Sequence, residues 1–182
     1  MIPVEWVVVL LWLIFGLIGL SRRFPLELGA TIGFTAMLLA LQLGFGRIGG
    51  LITSLLTMLG LAHDPALTQW WVLTTVITAW VVFMYAGETL SFAGVWPPGK
   101  MIGIGIDLLT GLFNGWLVIG TWWFITDALD YPIAQLGMFV PPLSPTAVNL
   151  VGYTPPALLP APYSVVVVGG FLVFLIALRV VR

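Results

Sequence analysis

Charge is what this chain lacks most. Only 7% of its 182 residues are charged, six basic and seven acidic. Soluble domains carry about a quarter. A chain so poor in charge cannot clothe a globular surface in polar groups, so lipid must be part of its solvent. Cysteine is absent and histidine occurs once, which excludes disulfides, thiolate catalysis and cysteine metal sites and leaves no plausible serine–histidine–acid set. The net charge of −1 offers no basic face to nucleic acid. The N-terminus lacks a basic leader region as well. "MIPVEW" holds an acid and no small-residue cleavage pattern follows, so the first hydrophobic run is expected to persist as a span.

What is present is apolar: 60% of residues are hydrophobic and the mean hydropathy is +1.14. Four runs are long enough to cross a hydrocarbon core of about 30 Å: Pro3–Leu20, Leu26–Leu43, Trp70–Ala93 and Met101–Thr126. A fifth, Ser164–Val181, is shorter but carries no charge before Arg179. The pattern predicts an all-α polytopic membrane protein, a single integral domain over residues 1–182. Residues 47–62 place Ile48, Leu51, Ile52, Leu55, Leu56 and Leu59 on one helical stripe, opposite Gly50, Thr53, Ser54 and Thr57. That segment is expected to be an amphipathic helix lying at the interface.

Charge placement selects a topology. With five spans, Arg22, Arg23, Lys100, Arg179 and Arg182 share one side and Arg47 alone faces the other. The positive-inside rule then puts the N-terminus outside and the C-terminus in the cytoplasm. The tryptophan pairs Trp70–Trp71 and Trp122–Trp123 are expected at one interface. Residues 127–163 form an outer loop with eight of the thirteen prolines and no charge after Asp130. Two readings stay open for it: it lies on the membrane surface, or it docks on another subunit, since exposed apolar surface outside lipid marks a contact.

On the fourth span Lys100, Gly103, Asp107, Gly111 and Asn114 fall on one face, flanked by Thr110 and Gly115. Small residues four apart permit the close approach on which helix association in lipid depends. The stripe is read as a packing seam, open to other membrane subunits. Asp107 lies about 9 Å inside the start of its run at 1.5 Å per residue. Glu88 lies at a similar depth and Glu27 begins the second span on the same side, so Glu27, Glu88, Arg22, Arg23, Lys100 and Arg179 are expected to form a cytoplasmic polar layer in which each carboxylate finds an arginine, a lysine or a serine or threonine hydroxyl. The opposing reading makes Asp107 and Glu88 a proton-carrying pair. Beyond Asn114, however, the span reads "GWLVIGTWWFIT", which offers almost no polar path. His63, in "LAHDPA", reads as a helix-end cap and only weakly as a ligand for haem or a pigment metal. No cofactor is expected unless the chain belongs to a larger complex.

The order of features resembles a known family. Glu5 opens an apolar helix, the turn "GLIGLSRRFPLELGATIG" leads into a second, a third ends in "AGETLSFAG", and a fourth begins "GIDLLTGLFNGWLVIG". Over residues 1–126 this is similar to the colicin V production protein (CvpA) family of small bacterial inner-membrane proteins. That family often has arginine after the aspartate of its fourth helix, where Leu108 stands here. The proline-rich loop and the fifth span (164–182) extend beyond the family pattern. The resemblance implies a non-enzymatic scaffold or secretion-support protein of the bacterial inner membrane. An accessory subunit of a respiratory or photosynthetic complex is the alternative, and a small transporter or proton channel using Asp107 and Glu88 a further one.

The topology is testable in the cysteine-free background. Single cysteines at Ser21 and Ser144 are expected to react with a membrane-impermeant maleimide from opposite faces of the membrane. Labelling from one face would mean that residues 47–62 cross it.

Overall fold

A computed structural model describes residues 2–60, 64–86, 92, 100–137, 139–159 and 163–180, the side chains of Phe45 and Lys100 excepted. His63, Glu88 and the Lys100 side chain therefore lie outside the described residues. The chain is an all-α polytopic membrane protein with five helices long and apolar enough to span: Val4–Arg22, Phe24–Gly44, Pro65–Ala86, Met101–Ala128 and Tyr163–Val180.

Helix α1 (Val4–Arg22) passes into α2 (Phe24–Met58) through Arg23 alone, whose φ of 69° reverses the chain in one residue. Helix α3 (Pro65–Ala86) returns beside α2. Helix α4 (Lys100–Gly115) continues through a π-helical turn (Trp116–Gly120) into α5 (Thr121–Ala128). A 3-10 turn (Pro132–Leu136) and two short helices, α6 (Pro145–Val151) and α7 (Pro155–Leu158), precede α8 (Tyr163–Val180).

One expectation changes at α2. Its 35 residues form a single helix, about 52 Å long, so the amphipathic segment continues the second span and is not a separate interfacial helix. No proline stands between Pro25 and Pro65. Gly44, Gly46, Gly49 and Gly50 each cost about 1 kcal/mol of helix propensity, but they keep the N–H that proline would remove. The Leu51, Leu55 and Leu59 face is left exposed.

The proline-rich loop makes a contact that neither reading included. It folds back over the end of its own bundle, burying Ile133, Ala147, Val151 and Pro155. A two-residue strand, β1 (Ile2–Pro3), pairs in parallel with β2 (Phe139–Val140) and ties the loop to the start of α1. Proline density does not forbid helix here, because Pro145 and Pro155 occupy first helical positions, where a missing N–H costs nothing. Pro155 packs against Gly120 of the π-helical turn, and the Trp116 indole donates to the Tyr153 carbonyl at 2.9 Å.

The tryptophan pairs meet at one end of the bundle, but only part of them faces outward. Trp71 is exposed, whereas Trp70 and Trp123 are buried. Trp70 donates to Thr126 Oγ1 at 2.9 Å and stacks edge-on against Trp122 at 6.0 Å. An indole bonded inside the bundle joins helices and does not anchor in headgroups.

The glycine seam is real, and α1 fills it. A Cβ on Gly111 would stand 2.5 Å from the Phe15 carbonyl oxygen and 2.8 Å from Gly19 Cα. One on Gly19 would collide with the Asp107 carbonyl and Gly111. A Cβ on Gly115 would meet the Phe15 Cβ at 2.7 Å. Gly103, one turn before Asp107, is buried. Trp12 adds a bond from its indole to the Leu112 carbonyl, 2.8 Å long. Backbone thus lies on backbone, and the seam expected to receive another subunit is closed by this chain's own first helix. Gly105, on the same helix, has no atom within 4 Å of such a Cβ.

That contrast gives a paired prediction. Gly111→Ala should lower the thermal midpoint in detergent, by the equivalent of about 1–3 kcal/mol for overpacking. Gly105→Ala should leave the midpoint unchanged or raise it. Equal effects at both positions would show that the seam is not a close contact.

Candidate functional site: a buried polar node joining four helices

Helix directions sort the charges before any site is considered. Helices α1, α3 and α8 run one way, and α2 and α4 the other. Arg22, Arg23, Glu27, Asp107 and Arg179 therefore gather at one end, while Glu5, Asp64, Asp127 and Asp130 lie at the end capped by the loop.

At the basic end Asp107 accepts the Phe24 backbone N–H on Oδ1 at 2.6 Å. This N–H is among the first of α2, which have no partner within the helix, so the carboxylate caps it and complements the positive end of the helix dipole. One partner of Asp107 is thus a backbone amide. Asp107 is level with the α1–α2 turn, so the first turns of α4 project about 10 Å beyond that turn. Met101 and Ile102 are accordingly exposed. A count along its own run places Asp107 further in than its level against the α1–α2 turn does.

The most buried carboxylate among the described residues is Glu27, one turn into α2 and 0% exposed. Its Oε2 accepts from Asn114 Nδ2 at 2.7 Å and from the Tyr85 hydroxyl at 3.2 Å. Arg22 Nε lies 3.2 Å from Oε1, off the line of a good hydrogen bond, so charge holds this pair. The same guanidinium donates to the Tyr85 carbonyl at 2.9 Å and covers the Tyr85 ring at 4.8 Å. Asn114, also 0% exposed, gives a second bond to the Glu27 carbonyl at 3.0 Å and accepts from Thr31 Oγ1 at 2.7 Å. One cluster therefore ties α1 through Arg22, α2 through Glu27 and Thr31, α3 through Tyr85 and α4 through Asn114. Around it Phe15, Phe34 and Tyr85 pack with ring centroids 5.5–6.3 Å apart. This shell keeps water out and the polar contacts strong.

Sequence reasoning placed Arg22 and Glu27 in a polar layer and Asn114 in the seam, and the structure brings these three together. Tyr85 and Thr31 were missed. Thr31 was findable as the residue four after Glu27 on one helical face; Tyr85 looked like one more aromatic in an apolar run. Arg179 lies at the same end on α8. Gly111 and Gly115 serve the α1 seam, so the α4 stripe faces two helices at once.

The buried face of α2 continues outward as Glu27, Thr31, Thr35 and Gln42. Thr35 Oγ1 has no hydrogen-bond partner and borders a cavity of about 100 Å³ walled by Leu38, Phe113, Leu117 and Phe171. A held water needs two to four polar partners, and Thr35 supplies one. The polar stripe is thus interrupted by an apolar space. A larger cleft of about 310 Å³ between α1, α3 and the π-helical turn has Thr74 and Thr78 in its wall, and neither Glu27 nor Asp107.

At the opposite end Asp64 caps α3 through the Leu67 N–H at 2.9 Å and accepts from Gln135 of the loop at 2.5 Å. These bonds, the Leu67 backbone bond first, hold its carboxyl below the usual aspartate range. Burial, helped by Asp127, pushes the Tyr131 phenol up.

Fold and node together define a polytopic α-helical membrane protein whose intramembrane polar groups are used to join helices. Comparison with known proteins finds no matching family, no matching curated protein and no matching solved structure.

Three substitutions test the node. Asp107→Asn keeps an acceptor for the Phe24 N–H and should leave the thermal midpoint nearly unchanged. Asp107→Leu removes the cap and should cost about 0.5–2 kcal/mol. Asn114→Leu leaves Glu27 and Thr31 short of partners and should cost about 1–3 kcal/mol. If Asn114→Leu proves as mild as Asp107→Asn, the buried network is not holding the bundle.

Proposed function

We propose that the chain is a non-enzymatic scaffold or assembly protein of the bacterial inner membrane, of the kind its resemblance to the colicin V production protein family implies. Its N-terminus and loop lie outside and its C-terminus in the cytoplasm. The observation that carries this reading is the commitment of Glu27: one oxygen faces Arg22 and the other accepts from Asn114 and Tyr85. A carboxylate occupied in this way holds helices together and is poorly placed to exchange protons. The apolar interruption beyond Thr35 supports the same reading against transport. The gathering of Arg22, Arg23 and Arg179 at one end supports the orientation.

An accessory-subunit role is favoured by one further feature. The outer loop leaves Leu143, Val148 and Tyr153 exposed at 70%, 57% and 64%. Such a surface outside lipid suits contact with other membrane subunits.

Purification in mild detergent, with reconstitution of the pure chain into liposomes carrying a pH gradient, separates these roles. The scaffold reading expects partner proteins to co-purify, no bound haem or pigment, and a gradient that decays no faster than in empty liposomes. Co-purifying haem or bacteriochlorophyll would select the accessory role. Gradient collapse that Asp107→Asn or Glu27→Gln abolishes would overturn the scaffold reading for a transporter.

A further inference from the structure

Glu5 takes no part in the polar node. It stands in the first turn of α1 at the loop end, where the helix dipole favours a carboxylate. Its Oε1 accepts the Leu143 N–H at 3.2 Å, while Oε2 receives no donor from the described residues. The β1–β2 pairing carries the loop across the start of α1 so that α6 comes to lie beside it. Between them opens a cleft of about 450 Å³, with Glu5, Trp6, Val9, Leu143, Thr146 and Leu150 in its wall.

Two features of the cleft point to an occupant. The first is charge. No lysine or arginine occurs between Lys100 and Arg179, so the loop that closes the cleft brings no base to Glu5. A carboxylate in the cleft wall that holds only one described hydrogen bond, and that no base from the loop meets, is suited to a cationic N–H donor. The second is the character of the rim. Trp6, Leu143 and Leu150 are exposed at 66%, 70% and 46%, and Val9 leads onto the exposed Leu10, Leu13 and Leu17 of α1. An ammonium would find the carboxylate and the Trp6 ring face, and attached hydrocarbon would run down α1 into the bilayer. A soluble amine would use only the first half of such a site. A bilayer lipid with a primary-ammonium headgroup uses both.

We infer that the cleft between the start of α1 and α6 is a binding site for an aminophospholipid of the phosphatidylethanolamine class, with Glu5 receiving the ammonium. Phosphatidylcholine keeps the positive charge but has no N–H to give. Phosphatidylglycerol lacks the cation altogether. The site should therefore rank the three headgroups in the order ethanolamine, choline, glycerol.

Native mass spectrometry of the delipidated full-length chain, titrated with each lipid at matched acyl length, tests this. Phosphatidylethanolamine should bind about tenfold more tightly than phosphatidylglycerol. Both Glu5→Gln and Thr146→Trp, the latter filling the cleft from its exposed rim, should abolish that preference at an unchanged thermal midpoint. Glu5→Gln binding with the wild-type preference, or equal affinity for phosphatidylglycerol in the wild type, would overturn the site. Should Glu5→Gln not fold, Thr146→Trp decides, and an undiminished preference in that variant overturns the proposal equally. Displacement of the lipid by equimolar phosphoethanolamine would assign the cleft to a soluble amine and overturn the lipid assignment.

Discussion

Burying Glu27 constrains everything near it. A carboxylate without exposed surface in an apolar bundle must be met by charge and hydrogen bonds from its neighbours, because water cannot reach it. Its partners come from three other helices. Each of those side chains fixes its helix in rotation and in height. Removing one partner of such a buried pair typically costs about 3–5 kcal/mol, so the arrangement tolerates little slippage. The node thereby sets the register that the apolar contacts, being non-directional, leave loose.

The glycine seam and the node depend on each other. Gly19 and Gly111 bring α1 and α4 to backbone contact, which puts Asp107 beside the α1–α2 turn and Asn114 beside Glu27. In lipid there is little hydrophobic drive to push helices together, so close van der Waals approach must be combined with polar bonds. Both occur within three turns of α4. The Arg23 backbone, at φ 69°, belongs to the same arrangement. A one-residue reversal holds Phe24 where Asp107 can cap it.

At the other end the bundle is closed by folded loop and not by charge. The π-helical turn widens the fourth span where Trp116 meets Tyr153 and Gly120 meets Pro155. The loop's apolar sequence is explained in part by its own bundle, which buries Ile133, Ala147 and Val151. Its remaining exposed apolar residues are the surface available to lipid or to other proteins.

The sequence by itself determined the class, the number of spans and the segregation of bases to one end, because these follow from run length and from the cost of moving charge through hydrocarbon. It also marked the α4 seam, since glycine spacing on a helix is a local property. Only the tertiary structure decided what meets that seam, where Asp107 lies relative to the α1–α2 turn, and that α2 runs unbroken to Met58. Depth is measured against neighbouring helices, and α4 starts well beyond the α1–α2 turn, which no count along one chain segment reveals. Tyr85 and Thr31 became functional neighbours of Glu27 for the same reason. Their roles come from the packing of four helices around one buried charge, and neither residue differs locally from a lipid-facing or hydrogen-bonded side chain of its own helix.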